Sequence, residues 1–403
     1  MSAIADLPEL DTFSSDFQAD PHGMNRAALA RGPIARSPYG VEVLSYEGAQ
    51  AVIKDRRYGM PAGLTLAAQG ITEGPLWDRV VNGILSIDGD EHARLRRFVA
   101  QSFTPRTTDR LRESMRRYMG ELLDAAPDDG DLDAVELVKS YPIAVICELL
   151  GTPREDWALF SNWTDDIFKI FQFNAVEDGP DILRAFDEVD AYIDAMVEER
   201  RRDPRDDLMT ELVQAEDEGD RLTREELRML AGAVLSAGTD TTRNQLAAAI
   251  QEFADHPDQW AAMPNDVADA PRVVDEVMRY SPVIMGTARQ PVEDVELLGV
   301  EIPAGTMVAV NTAAANRDPA VYADPDRFDI ARNGAPPHLT FGGGIHYCLG
   351  VHLAKAELAE ALVQIHEKWP TIEQTGPAPW KPVVGISGPM TLPLRVTPAP
   401  RAR

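Results

Sequence analysis

A lone thiol in an unusual setting is the first chemical signal of this 403-residue chain. Cys348 stands in Phe341-Gly342-Gly343-Gly344-Ile345-His346-Tyr347-Cys348-Leu349-Gly350, and the only other cysteine is Cys147. Consecutive glycines admit backbone conformations and close approaches that side chains would block, so something flat or bulky could lie against that bend. The helical pattern LGVHLAKAELAEALVQIHEKW follows at once. Unsatisfied amides and the positive dipole end of a first helical turn favour a thiolate. The alternative is a buried structural cysteine, the reading given to Cys147 in the apolar run YPIAVICELLG. Zinc is a poor alternative, because His346 and His352 are near but a closed site needs four ligands.

A second signal is an acid beside an alcohol within a helix. In LAGAVLSAGTDTTRNQLAAAI, Gly238 costs roughly 1 kcal/mol relative to alanine in a helix interior, and Asp240, Thr241 and Thr242 are poor helix formers. Such a segment can open the hydrogen-bond ladder and leave a groove for a small ligand; a plain kink in a core helix is the alternative. Further signals are ionic. Glu276 and Arg279 stand three apart on one helix face, a pair worth only a few tenths of a kcal/mol if exposed. His92 and Arg96 lie one helical turn apart and share a face.

Taken together these residues resemble the cytochrome P450 family. Phe341, Gly344, His346, Cys348 and Gly350 fill every position of that family's haem-binding signature. The resemblance implies haem b (iron protoporphyrin IX) as cofactor, Cys348 as its thiolate ligand, and a glycine bend that, with His346, supports sulfur and propionate. Ala237-Gly238-Thr239-Asp240-Thr241 resembles the oxygen-binding motif, with Asp240 the acid and Thr241 the alcohol of a proton relay. Glu276 and Arg279 resemble the buried ExxR pair, joined there by an arginine from a later loop, here matched to Arg327 in DPDRF. His92, Arg96 and Arg289 match propionate anchors, although Ala93 stands where the family often has threonine. Pocket-lining segments of the family correspond here to stretches that include Ala233, Ala237, Gly238, Val283, Ile284 and Met390.

The elements that must position these residues are mainly helical. Apolar spacing predicts helices over Leu111 to Ala125, Val135 to Leu150, Ile182 to Arg201, Arg224 to Phe253, Val267 to Tyr280 and Cys348 to Trp369. Strands are expected over Val41 to Leu44, Val292 to Val300, Met307 to Asn311 and Met390 to Val396. The fold class is therefore mainly α with small β-sheets. The resemblance implies the triangular single-domain P450 fold over residues 1–403, with a short N-terminal arm to about residue 20. With 44% hydrophobic and 26% charged residues the chain can bury a large core.

A formal charge of −27 argues against nucleic acid and anionic membrane surfaces as partners. No apolar run approaches the ~18 residues that span a bilayer, and two cysteines suit a reducing compartment, so a cytoplasmic monomer without stable membrane association is expected. One stretch reverses the sign: residues 94–117 hold eight arginines against Asp109 and Glu113. Arg94, Arg97, Arg112 and Arg116 are expected to form a basic dock for an acidic iron–sulfur ferredoxin served by a separate reductase. The function implied is an O2-activating monooxygenase that hydroxylates a lipophilic small molecule of terpenoid, steroid or fatty-acid type. The alternative is a non-catalytic haem-based sensor or ligand carrier, in which the acid and alcohol would have no task.

Overall fold

A computed structural model describes residues 3–217 and 222–399. Its organising element is the central helix, Arg224–Asp255. A capping box starts it: the Thr223 hydroxyl accepts from the Glu226 amide, and the Glu226 carboxylate accepts from the Thr223 amide at 2.8 Å. From Asn244 to Ile250 every residue of this helix is buried, and Leu227, Leu230, Leu235 and Phe253 are buried as well, the pattern of an element enclosed by others. It packs against Tyr141–Leu150, Trp157–Phe168 and Val351–Lys368.

The helices Pro105–Ala125, Ala175–Arg202 and Pro271–Tyr280 complete the helical layer. Trp157–Phe168 is a helix that the apolar spacing did not separate. A five-stranded sheet runs in the order Ile34–Ser37, Gly40–Val43, Met307–Val310, Thr287–Pro291, Tyr58–Gly59. Val41 pairs with Val308 and Val43 with Val310 in parallel register. The run expected as one strand over Val292 to Val300 is instead a hairpin. Val295–Leu297 folds back on Val300–Ile302 through Leu298 and Gly299, both at positive φ. A three-stranded sheet joins Gly130–Asp133, Pro393–Thr397 and Thr371–Gln374. The mainly helical fold with small sheets is as the sequence led one to expect.

Candidate active site

Cys348 sits in the loop that enters helix Val351–Lys368, outside the helix rather than at its first residue, since Gly350 is the N-cap. Its amide donates to the Phe341 carbonyl at 3.0 Å, which closes the loop into a bulge. Two of the glycines answer to a neighbouring helix, Tyr46–Lys54. A Cβ on Gly344, whose φ is +66°, would lie 2.4 Å from the Ile53 carbonyl oxygen, and one on Gly343 would lie 2.8 Å from Ile53 Cδ1. The bend therefore lets that helix end pack beneath the cysteine loop. Burial pushes the Cys348 thiol up, while the Gly350 amide and the Arg96 charge work in the opposite direction. Cys147 is buried in the core, with its thiol raised by burial to about 11, the environment of an inert cysteine.

Four basic side chains converge near this loop. His92 and Arg96 project from helix Gly89–Ala100; Arg96 donates to the Tyr347 carbonyl at 2.6 Å, and the rings of His92 and His346 lie 4.2 Å apart. Arg289, 4% exposed, donates among the described residues only to neutral groups: the Met60 sulfur, the Thr287 hydroxyl and the Ala288 carbonyl. Desolvation lowers the pKa of both arginines and takes His92 down to about 4. His92 Nδ1 is buried without a partner. Among the described residues neither Arg96 nor Arg289 has a carboxylate partner, whereas His346 is held by Asp88 at 2.7 Å. Desolvated cations without counter-ions beside a partnerless imidazole nitrogen fit a bound group that brings its own carboxylates. Asp88, which also accepts from the Met60 amide, was not singled out in the sequence because an isolated loop aspartate carries no spacing signal.

On the central helix, Ala237 is exposed and Gly238 and Thr241 are half-buried although Ser236, Thr239, Asp240 and Thr242 are buried, so open space adjoins this turn. The helix itself runs unbroken. Thr241 Oγ1 donates to the Ala237 carbonyl at 2.8 Å, and a Cβ on Gly238 would lie 2.3 Å from Ile146 Cδ1. Gly238 thus answers to the close approach of helix Tyr141–Leu150 and not to an opened ladder. Asp240 is buried and points elsewhere than Thr241: its Oδ1 accepts from Arg243 Nε at 2.7 Å and Asn244 Nδ2 at 2.8 Å, with Lys381 Nζ at 3.7 Å. Arg243 and Lys381 were not anticipated, the first because one arginine on a helix is ordinary, the second because it lies far away in sequence.

Glu276 and Arg279 are both buried and doubly bonded, at 2.8 Å for each of two hydrogen bonds. The third member is Arg332, not Arg327. Arg332 Nε donates to Glu276 Oε2 at 3.1 Å, while the Arg327 side chain is 65% exposed. Arg327 contributes its backbone carbonyl, which accepts from Arg279 and from Arg332. The expected basic dock is also changed: Arg112 and Arg116 both bond the fully buried Glu360 at 3.1 Å, and Arg94 pairs with Glu91 and Glu226. Of the pocket-lining expectations, Val283 is buried, with its amide bonded to Gln245 and its carbonyl to Ser387, so it opens onto no free space. Ala233 and Ile284 are half-buried and Met390 is exposed. Among the described residues there is no cluster of three or more His, Cys, Asp or Glu that could hold a metal ion.

Comparison with known proteins gives this geometry its context. The family model described as cytochrome P450 matches residues 78–379. Luteothin monooxygenase of Streptomyces thioluteus is 38% identical over 97% of this chain and 96% of its own length. Mycinamicin IV hydroxylase/epoxidase of Micromonospora griseorubida is 36% identical over 89% of this chain and 91% of its own. The crystal structure of CalO2 superposes with a TM-score of 0.90 at 28% identity, covering 97% of this chain and 100% of that one. The relatives are oxygenating enzymes, which favours catalysis over a ligand carrier. With likeness of this extent in sequence and in fold, the chain belongs to the cytochrome P450 family of haem-thiolate monooxygenases.

Proposed function

We propose that Cys348 is the thiolate ligand of haem iron, that His92, Arg96, Arg289 and His346 receive the propionates, and that the open space beside Ala237 and Thr241 is where dioxygen and substrate meet. The observation that carries this reading is the convergence of desolvated cations without counter-ions on the cysteine loop. Haem held there would supply the iron for dioxygen chemistry, and Cys348 would serve it as an electron-rich thiolate ligand of the kind that favours O–O cleavage. The protein's task is proton supply and exclusion of free water. The net reaction takes a C–H bond, O2, two electrons and two protons to a C–OH group and water, so protons must arrive one at a time on the open side of the helix. Thr241 presents a hydroxyl at that turn, and Asp240 is the adjacent acid that can recharge it. Phe341, Gly344 and Gly350 shape the loop under the sulfur, and Glu276 with Arg279 braces the core behind it.

The substrate is inferred to be a lipophilic secondary metabolite. Luteothin and mycinamicin IV are the molecules named for two of the relatives, and Ala233, Ala237, Ile284 and Met390, which the resemblance matches to the pocket lining, are apolar and not fully buried. Electrons come from a separate iron–sulfur ferredoxin and its reductase. The test uses purified protein, ferredoxin, reductase and 18O-labelled dioxygen with a panel of such metabolites. One labelled oxygen is expected in the product, and Thr241→Ala is expected to divert most electrons to hydrogen peroxide while substrate still binds. A Thr241→Ala protein as well coupled as the parent, or product oxygen taken from water, would contradict the reading.

A further inference from the structure

The acid of the proposed relay is not free to act as it stands. Asp240 Oδ1 is held by Arg243 Nε at 2.7 Å and Asn244 Nδ2 at 2.8 Å, with Lys381 Nζ at 3.7 Å, and no bond joins Asp240 to Thr241 among the described residues. Residues at i+3 and i+4 share the Asp240 face of the helix, whereas the next residue, Thr241, is turned about 100° away. To hand a proton toward Thr241, the carboxylate must loosen its grip on Arg243.

The same guanidinium has a second acceptor. Arg243 also bonds Asp165 of helix Trp157–Phe168, whose side chain is 49% exposed, and donates to the Ser161 hydroxyl at 2.8 Å. The Arg243 side chain itself is only 11% exposed. A buried guanidinium left with no carboxylate is costly, so an arginine with one acceptor would release it only rarely. With two, Asp165 retains the charge while Asp240 moves. We infer that Arg243 is a positioning residue that parks the acid, and that Asp165, the solvent-facing end of the Asp240–Arg243–Asp165 triad, sets how readily the acid is released to deliver protons. Lys381, from the loop before the last strand, is the remaining cation facing Asp240; at 3.7 Å it biases the carboxylate without a short bond. Nothing else charged is paired with Asp240 among the described residues.

This inference rests on the relay reading above, and its test separates the two. Turnover at saturating substrate, product formed per electron pair and the solvent deuterium isotope effect are measured for the reconstituted enzyme and for Asp165→Asn, Arg243→Gln, Arg243→Lys and Asp240→Asn. Asp165→Asn leaves the whole guanidinium charge on Asp240, so turnover should fall about three- to tenfold and the isotope effect should rise. Substrate Kd and the carbon monoxide spectrum should match the parent. Arg243→Gln should send electrons to hydrogen peroxide, and Arg243→Lys should restore part of the coupling. If Asp240→Asn slows turnover but Asp165→Asn keeps the parent's turnover and isotope effect, the control assigned to Asp165 is wrong and the relay stands. If Arg243→Gln remains fully coupled, Arg243 does not position the acid. If Asp240→Asn itself changes nothing, the relay and this inference fall together.

Discussion

Residues that act in this protein are marked by local conflict between type and setting, and that is why some were readable and others were not. Cys348 was legible because a thiol after three glycines satisfies no ordinary structural need; Asp240 and Thr241 were legible because they interrupt a good helix. Asp88, Arg243 and Lys381 were not, since each becomes informative only beside a partner from another segment. A buried carboxyl outside the proposed site shows the same limit. Glu42, on strand Gly40–Val43, is fully enclosed, and burial pushes its pKa from 4.5 up to about 8 against a hydrogen bond from Asn311. The folded state keeps it neutral while the unfolded chain ionises it. Its contribution is therefore whole below pH 4.5 and is lost as pH rises toward 8, by about 1.4 kcal/mol per pH unit. Glu42→Gln should raise the unfolding midpoint at pH 8 relative to the parent and leave it little changed near pH 5. Midpoints measured across this range check it; an equal shift at both ends would count against a neutral Glu42.

At the level of elements, apolar periodicity located the long helices but not their junctions. The central helix was expected over Arg224 to Phe253 and spans Arg224–Asp255, because its ends carry a capping box and a stop before Pro257. The strand over Val292 to Val300 became a hairpin because a turn at Leu298 and Gly299 is invisible to hydropathy alone. Brace and anchor residues depend on how such elements meet. Glu276 receives Arg279 from its own helix and Arg332 from a loop more than fifty residues later, and the Asp329 amide donates to it as well at 2.8 Å. The family resemblance pointed to Arg327, which lies in the right loop but turns its side chain outward. Breaking a buried ion pair by removing one partner costs about 3–5 kcal/mol. Arg332→Ala should therefore lower the thermal midpoint sharply and shed haem, whereas Arg327→Ala, which keeps the backbone carbonyl, should do neither. Comparable losses in both variants would return the third position to Arg327.

Across the whole molecule, a charge of −27 coexists with a local basic surface, and the structure alters which arginines can serve it. Arg112 and Arg116 both neutralise buried Glu360, so reversing either would remove one of its two cations and set a like charge beside that carboxylate, which reports on stability rather than docking. Arg97, Arg106 and Arg110 are exposed and have no acidic partner among the described residues. Arg106 and Arg110 flank Thr108 and Asp109, which share a cleft with His352 and Lys355 of the helix after Cys348. A double variant, Arg97→Glu with Arg110→Glu, should slow reduction by ferredoxin severalfold at low salt and much less at high salt, with substrate binding unchanged. Salt-independent or unaltered reduction would remove this surface from electron delivery. No helix of the described residues is long and apolar enough to cross a membrane. The fold as a class was legible because apolar spacing marks the long helices and the stretch from Phe341 to Gly350 is specific to one family; the ion-pair geometry was not, since it is written in contacts between distant segments. The most direct measurement of the central claim is the carbon monoxide spectrum of the reduced protein. The parent should show the red-shifted band of a thiolate-bound ferrous haem, Cys147→Ser should show the same band, and Cys348→Ser should lose it; an unshifted parent band, or a normal band in Cys348→Ser, would contradict Cys348 as the iron ligand.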